Sequence, residues 1–416
     1  MNLTFDARGN DRYFIARNNQ LWFSEKNDYH YSFYMDLGCE YSGGRYYLKA
    51  LEFQDKIFVL PGNAQHLLVI RNKKIKKIPF IEKTTQSGAF GGYWYNEKYL
   101  FLLPFRYPFL VRVTVETEEI RYVDGVCPFN VRYDGGEWRS GGVWQYGEEL
   151  VFASPSDNEF LFLNMDTLEA RKQSSHSKCN LGTQEIVGDG EDLWLLPLNG
   201  MTVTRWNPAT ESVREYGGAL PDGFQSIRGP YDLECRERPF GAIAFSGEGG
   251  SEKIVISPTW GNMYLSLDRK TGEMKEWKPP IPFANRGKNG YFTASGMGGF
   301  ITLFPNCRDA KKRIWYAPER KLYEIDIETK EYREIETGFD YEELKAREPG
   351  FDMESEWLQY CLNENAFNSL KDFLDGQITG KRFDREKQIA AFAKINANTD
   401  GTCGRAVYEF ARGKVL

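Results

Sequence analysis

The residues that could carry chemistry are few and scattered. His30, His66 and His176 are the only histidines in 416 residues, and no two stand at a spacing that would let them share a metal ion. A serine nucleophile on a strained elbow would need Gly-x-Ser-x-Gly, and a phosphate-cradling loop would end in Gly-Lys-Ser or Gly-Lys-Thr; neither occurs. Four carboxylates, Asp28, Asp157, Glu159 and Asp309, fall in predicted loops where an acid and a base could flank a substrate. With 59 acidic residues in the chain, chance placement of a few in these loops is the better explanation. Asp400-Gly401-Thr402-Cys403-Gly404 combines a thiol with a helix start, where a thiolate or an anion is stabilised, but a capped turn with a packed cysteine explains it too. These residues imply neither a metal nor a cofactor.

A richer set of side chains follows a recurring apolar run that ends in proline. After those runs come Asn63, Arg106, Tyr107, Asp157, Asn158, Asn199, Trp260, Asn262, Arg308 and Asp309. Loops leading into the preceding strands add Arg45, Gln86, Trp138, Arg139, Gln184, Arg228, Arg236, Arg238 and Arg286. Arginine forks hold carboxylates or phosphates by two bonds, amides read hydroxyls, and Trp or Tyr faces stack on sugar rings. The first ten are the predicted ligand-binding residues, if the fold brings those loops to one place.

The repeat argues that it does. The runs are Ile57-Phe58-Val59-Leu60-Pro61, Leu100-Phe101-Leu102-Leu103-Pro104, Val151-Phe152-Ala153-Ser154-Pro155, Leu193-Trp194-Leu195-Leu196-Pro197, Ile254-Val255-Ile256-Ser257-Pro258 and Ile301-Thr302-Leu303-Phe304-Pro305, with Leu21-Trp22-Phe23-Ser24 as a copy lacking proline. Successive prolines lie 43, 51, 42, 61 and 47 residues apart, the size of a four-stranded propeller blade with insertions. Proline cannot donate to a central ladder, so it marks a strand end. Polar hairpin signals such as Gln54-Asp55 and Asn96-Glu97 precede the runs. A second kind of turn follows them, as Thr114-Val115-Glu116-Thr117, Asn207-Pro208-Ala209-Thr210, Asp268-Arg269-Lys270-Thr271 and Asp326-Ile327-Glu328-Thr329. Glycine pairs Gly91-Gly92, Gly141-Gly142 and Gly298-Gly299 adjoin innermost strands, where blades converge. The expected fold is all-β, a seven-bladed β-propeller over 1–338 with blades starting near 11, 41, 84, 134, 182, 238 and 289. A helical tail packed on the propeller is expected over 339–416, where Trp357, Tyr360, Phe367, Leu370 and Phe373 recur at helical spacing.

Composition agrees with this class. Aromatics make up 15% and glycines number 40, a mixture suited to short strands and tight turns. Net charge is -6 with signs interspersed, which gives no global attraction to nucleic acid or anionic membrane. No stretch is apolar enough for membrane insertion, the N-terminus reads as no secretion signal, and seven cysteines without a Cys-x-x-Cys pair read as buried thiols. A cytoplasmic protein is expected.

The strand-Pro repeat and Asp-x-x-Thr turns over about residues 11–338 resemble kelch-like bacterial β-propellers. Leu21-Trp22-Phe23-Ser24, the Pro61 run and the ending Asn398-Thr399-Asp400-Gly401-Thr402-Cys403-Gly404 resemble a group of bacterial propellers with a C-terminal helical tail, associated with surface-polysaccharide gene neighbourhoods. The first blade departs from the pattern by lacking its proline. The resemblance implies no catalytic residues. The expected function is non-catalytic: a binding or scaffold propeller that recognises a carbohydrate-like or anionic small molecule, a glycan, or a partner protein at the channel mouth. The alternative is a lyase or hydrolase acting on a sugar or lactone in the same channel.

Overall fold

A computed structural model describes residues 10–339, apart from 17–18, 26–27, 39–45, 84–87, 125–141, 156, 179–181, 199, 218–219, 227–238, 246–252, 259–260, 281–299, 303–310, 317–320 and 337; beyond Phe339 it describes Glu343 and Arg347. The chain divides into two compact units, Met1–Asp340 and Tyr341–Leu416. In the second unit Glu343 and Arg347 are helical and form an i,i+4 ion pair at 3.1 Å; the rest of the expected tail, including Cys403, lies outside the described residues.

The described residues of the first unit form seven four-stranded sheets. Blade 2 is β4 (Tyr47–Phe53), β5 (Lys56–Pro61), β6 (His66–Arg71) and β7 (Lys74–Pro79); blade 3 is β8 (Phe90–Tyr95), β9 (Tyr99–Pro104), β10 (Leu110–Thr114) and β11 (Ile120–Val123). Blade 4 holds β12 (Val143–Tyr146), β13 (Glu149–Ala153), β14 (Glu159–Asn164) and β15 (Ala170–Ser174). Blade 5 holds β16 (Thr183–Gly188), β17 (Leu193–Pro197), β18 (Val203–Trp206) and β19 (Val213–Tyr216). Blade 6 runs through β20 (Phe240–Phe245), β21 (Lys253–Pro258), β22 (Leu265–Asp268) and β23 (Met274–Glu276), and blade 7 through β24 (Phe300–Thr302), β25 (Lys311–Tyr316), β26 (Lys321–Asp326) and β27 (Tyr332–Ile335). Within these six blades all pairing is antiparallel and sequential. Together with blade 1 they make a seven-bladed β-propeller.

Blade 1 closes the ring. Its β1 (Tyr13–Ala16), β2 (Gln20–Phe23) and β3 (His30–Asp36) are joined at the outer edge by β28 (Gly338–Phe339), which pairs parallel to β3 through Gly338↔His30 and Phe339↔Tyr31. Gly338 N–H donates to the Tyr29 carbonyl at 3.0 Å. A Cβ on Gly338 would come 2.5 Å from the exposed His30 ring, so a larger residue there requires that ring to move aside.

Apolar strand residues fill the spaces between blades. Phe58, Leu60 and Val69 of blade 2 pack with Phe90, Leu100 and Val111 of blade 3. Phe101 and Leu110 pack with Phe152 and Leu161 across the next gap, Phe160 and Phe162 with Leu195 and Trp206, and Trp194 and Val203 with Phe245 and Ile256. Trp277 and Tyr264 pack with Tyr323 and Ile325 of blade 7. Both faces of the second strands β5, β9, β13, β17 and β21 are therefore largely buried, which is why runs such as Ile57-Phe58-Val59-Leu60 are continuous rather than alternating.

The second turn of blades 3 to 7 serves as a hook. In Asn207, Asp268 and Asp326 the first side chain caps two backbone N–H groups of its turn at 2.8–3.0 Å. Asn164 does the same in Asn164-Met165-Asp166-Thr167, a copy with the same capping chemistry in blade 4. The fifth residue takes positive φ, at Glu118, Leu168, Glu211, Gly272 and Lys330. A side chain of the preceding blade then grips a carbonyl of the turn: Lys56 Nζ on Val115 (2.7 Å), Arg112 on Met165 (2.9 Å), Gln173 on Pro208 (2.8 Å), Arg214 on Lys270 (3.0 Å) and Trp277 Nε1 on Ile327 (3.4 Å). Five successive blade junctions thus share one device with interchangeable donors.

Blade 7 departs from the expected phase. Ile301 and Thr302 lie on the first strand, β24, and the second is β25, after which Ala317-Pro318 supplies the proline. Arg308 and Asp309 therefore fall in chain order between first and second strands, not between second and third.

Candidate functional site at the proline end of the inner strands

Where the second strand ends in proline, the inner strand opposite it carries a bulge. Tyr47 faces Pro61 and Lys49 faces Leu60, with Leu48 passed over; Phe90 faces Pro104 and Gly92 faces Leu103, with Gly91 passed over. Thr183 and Phe240 face Pro197 and Pro258 in the same way, and the ladder resumes at Glu185 and Ala242. The missing proline N–H removes one rung, and the extra residue re-aims the side chain that follows it. One register position, occupied by Lys49, Gly92, Glu185 and Ala242, thus recurs on the innermost strands of four blades.

The residues after each proline fold back onto this bulge. Gly62, Asn63 and Ala64 all donate N–H to the Tyr46 carbonyl at 2.9–3.1 Å, and Phe105, Arg106 and Tyr107 all donate to Ala89 at 2.9–3.1 Å. Leu198 donates to Gly182 at 2.8 Å. The post-proline segments are consequently anchored turns rather than free loops.

That anchoring decides where the predicted ligand-binding residues sit. Asn63 accepts the Gly88 N–H through Oδ1, tying blade 2 to the start of blade 3. Tyr107 is buried, packs between Phe80 and Phe90, and accepts the Glu82 N–H at 3.2 Å. Burial pushes its phenol up to about 12. Arg106 lies over the Phe105 ring at 5.6 Å. Asn158 donates to the Ser177 carbonyl at 3.1 Å, and Asp157 accepts the Glu159 N–H at 3.0 Å. Asn262 donates to the Gly223 carbonyl (2.8 Å) and accepts the Gln225 N–H (2.9 Å). Asn199, Trp260, Arg308 and Asp309 lie outside the described residues, as do Arg45, Gln86, Trp138, Arg139, Arg228, Arg236, Arg238 and Arg286. The structure therefore brings Asn63, Arg106 and Tyr107 to the two flanks of the 88–90 segment, and it places Asp157 and Asn158 on blade 4 and Asn262 on blade 6.

Of the four carboxylates, Asp309 lies outside the described residues, and Glu159 and Asp28 are engaged by neighbours on their own blades. Glu159 reaches Lys172 at 3.3 Å, and Asp28 accepts the Ser24 hydroxyl at 2.9 Å. Hydrogen bonds from the His30 backbone and from Ser24 hold Asp28 below its ordinary pKa. His66 Nε2 meets the Tyr47 hydroxyl at 3.0 Å, and burial lowers its pKa, so the ring is neutral at pH 7. His30 and His176 stand on other blades.

One group is different in kind. Glu185 follows the bulge of blade 5, keeps part of its surface in contact with solvent, and has no hydrogen bond or ion pair among the described residues. Enclosure by protein raises its pKa from 4.5 to about 8, so it is mostly protonated at neutral pH. Beside it on the bulge, the buried amide oxygen of Gln184 has no partner either. At the equivalent position of blade 2, Lys49 is neutralised by Asp11 at 2.6 Å, both buried. Glycine and alanine hold this position in blades 3 and 6, so the fold does not require a carboxyl there. Aligning the repeats on their prolines would have exposed Glu185; its strand, Thr183-Gln184-Glu185-Ile186-Val187, otherwise reads as ordinary.

No protein-family model matches the chain, and no curated protein matches it significantly. Among solved structures, virginiamycin B lyase from Staphylococcus aureus is similar, with 13% identity, a TM-score of 0.43 and coverage of 68% of this chain and 82% of that one. A streptogramin B lyase gives 14% identity, a TM-score of 0.42 and coverage of 68% and 79%. The extracellular domain of a proposed one-component system from B. thetaiotaomicron gives 12%, 0.44, and 78% and 42%.

Proposed function

We propose that the chain is a binding propeller whose channel mouth takes an uncharged, hydroxyl-rich ligand of the carbohydrate type, held by Glu185 and Gln184. The observation that carries this reading is the carboxyl of Glu185, enclosed yet without a partner among the described residues. A protonated carboxyl both donates and accepts, and the Gln184 oxygen needs a donor; a hydroxyl pair satisfies both. An anionic ligand finds less support among the described residues, because Lys49 is already committed to Asp11 and Arg106 lies over Phe105. The resemblance to propellers of surface-polysaccharide neighbourhoods favours the same ligand class.

The test is a glycan array followed by calorimetry of the hits with wild type, Glu185→Gln and Glu185→Ala across neutral to alkaline pH. Affinity should fall as pH rises through about 8, Glu185→Gln should flatten that dependence, and Glu185→Ala should weaken binding about tenfold. Affinity indifferent to both pH and Glu185 overturns the proposal. A carboxyl protonated at neutral pH is also what a general acid needs. Mass spectrometry of each bound glycan therefore completes the test, and a cleaved product would move the reading to catalysis on a sugar.

A further inference from the structure

The outer edge of blade 2 differs in charge from the other blade edges described. From Arg71 to Lys83 the chain places six cations, Arg71, Lys73, Lys74, Lys76, Lys77 and Lys83, against one carboxylate, Glu82, in a protein of net charge -6. On other blades the outer cations are matched: Arg121 by Glu119 (2.9 Å), Arg171 by Glu149 (2.7 Å), Lys275 by Glu273 (2.9 Å) and Arg333 by Glu324 (2.9 Å). On blade 2 a single buried carboxylate, Glu118, receives Lys76 (2.7 Å), Arg71 (3.0 Å) and Lys56 (3.4 Å) together, so positive charge stays in excess. Lys77 reaches a carbonyl, that of Gly38 at 3.3 Å, and Lys73 lies over the Tyr34 ring at 5.0 Å. Lys74 and Lys83 are exposed and form no ion pair among the described residues.

The backbone of the same segment is open. β7 pairs with β6 on one side, and no strand pairs with its other side in the described sheet. Its six residues make it the longest outer strand described. Ile81, just beyond it, is 63% exposed, one of two large hydrophobic residues so exposed among those described. A row of unsatisfied peptide groups, one sign of charge and a flanking apolar side chain together match an extended, acidic chain.

We propose that β7 is a docking edge for an extended acidic segment of a partner protein, which adds as a further strand with its carboxylates on Lys74, Lys76 and Lys77 and an apolar side chain on Ile81. Lysines on an edge strand can instead serve to repel other strands. A guarded edge binds no peptide, so the two roles predict opposite results.

The probe is a capped, labelled seven-residue peptide of six glutamates ending in one valine, which presents carboxylates on both faces of the added strand, titrated into the full chain by fluorescence anisotropy. Binding should weaken steeply with salt, fall at least about tenfold in Lys74→Glu/Lys77→Glu, and be absent for the glutamine version of the peptide. Hydrogen exchange of β7 should slow on binding. The milder pair Lys74→Gln/Lys77→Gln, with an unchanged unfolding midpoint, separates lost charge from lost structure. Lack of binding, or binding indifferent to both variant pairs, overturns the proposal. Tighter, variant-sensitive binding of duplex DNA in a parallel titration overturns it in favour of nucleic acid. None of these variants touches Glu185, so the edge and the channel mouth stand or fall separately.

Discussion

Replacing Glu185 by glutamine should make the protein more stable at neutral and alkaline pH and leave it unchanged near pH 4.5. The folded-state pKa of about 8 lies above the ordinary 4.5. Between those values the folded protein binds the extra proton, so wild-type stability is fully present below about 4.5 and is lost as pH rises to about 8. At 1.36 kcal/mol per unit, the full interval corresponds to about 5 kcal/mol as an upper bound; water reaching the partly exposed side chain reduces this to about 2–3 kcal/mol. Glutamine keeps the size and the hydrogen-bonding capacity of the protonated acid but cannot ionise. The assay is urea unfolding of both proteins at a series of pH values, comparing midpoints at constant slope. The difference between them should grow in the variant's favour up to about pH 8 and then level off. A difference that stays constant across that range would refute the assignment of Glu185 as an enclosed, unpaired carboxyl. Because both proteins share every other titrating group, the subtraction isolates this one.

Three further outcomes follow from the fold. Gly338→Ala brings a Cβ against the exposed His30 ring, which must turn aside, and should cost about 1 kcal/mol or less, with faster hydrogen exchange concentrated in β3 and β28. Glu211→Gly removes an exposed side chain from a φ of 58° where blade 6 already carries Gly272. It should stabilise by up to about 1 kcal/mol in urea unfolding, the relief of left-handed strain exceeding the added chain entropy. Asn262→Ala removes the two side-chain bonds that hold Gly223 and Gln225 and should cost about 1–3 kcal/mol. Limited proteolysis near residues 221–226 should accelerate in step.

The blades were legible because their signals are local. Proline at a strand end, a polar hairpin and an Asx-capped turn each act within five residues, so Pro61, Pro104 and Pro197 locate second strands without knowledge of the rest. Blade 7 shows the limit of that locality. Ile301-Thr302-Leu303-Phe304-Pro305 has the apolar run and the proline, yet the second strand is the charged Lys311-Lys312-Arg313-Ile314-Trp315-Tyr316. Local pattern cannot tell which of two adjacent strands carries the register when the less apolar one does. The closing strand β28 has two residues and no signature at all, because its place depends on where a ring of seven blades returns. Asn63 and Asn262 were singled out by residue type, and residue type could not show that their side-chain oxygens accept backbone N–H groups of Gly88 and Gln225.

Glu185 was hidden for a related reason, and the same reason gives it meaning. In blades 2, 3, 5 and 6 the proline that ends the second strand deletes a rung, the inner strand bulges beside it, and the ladder resumes at one shared register position. Every blade built this way has such a position, and its occupant is not dictated by packing: blade 3 uses Gly92, blade 6 Ala242, and blade 2 a lysine that Asp11 neutralises. Glu185 has no such neutralising partner among the described residues, and its enclosure destabilises the fold throughout the pH range in which most proteins work. Nothing among the described residues offsets that cost. A hydrogen-bonding ligand at the channel mouth would offset it, and the adjacent Gln184 oxygen, buried and unbonded, would be satisfied by the same molecule.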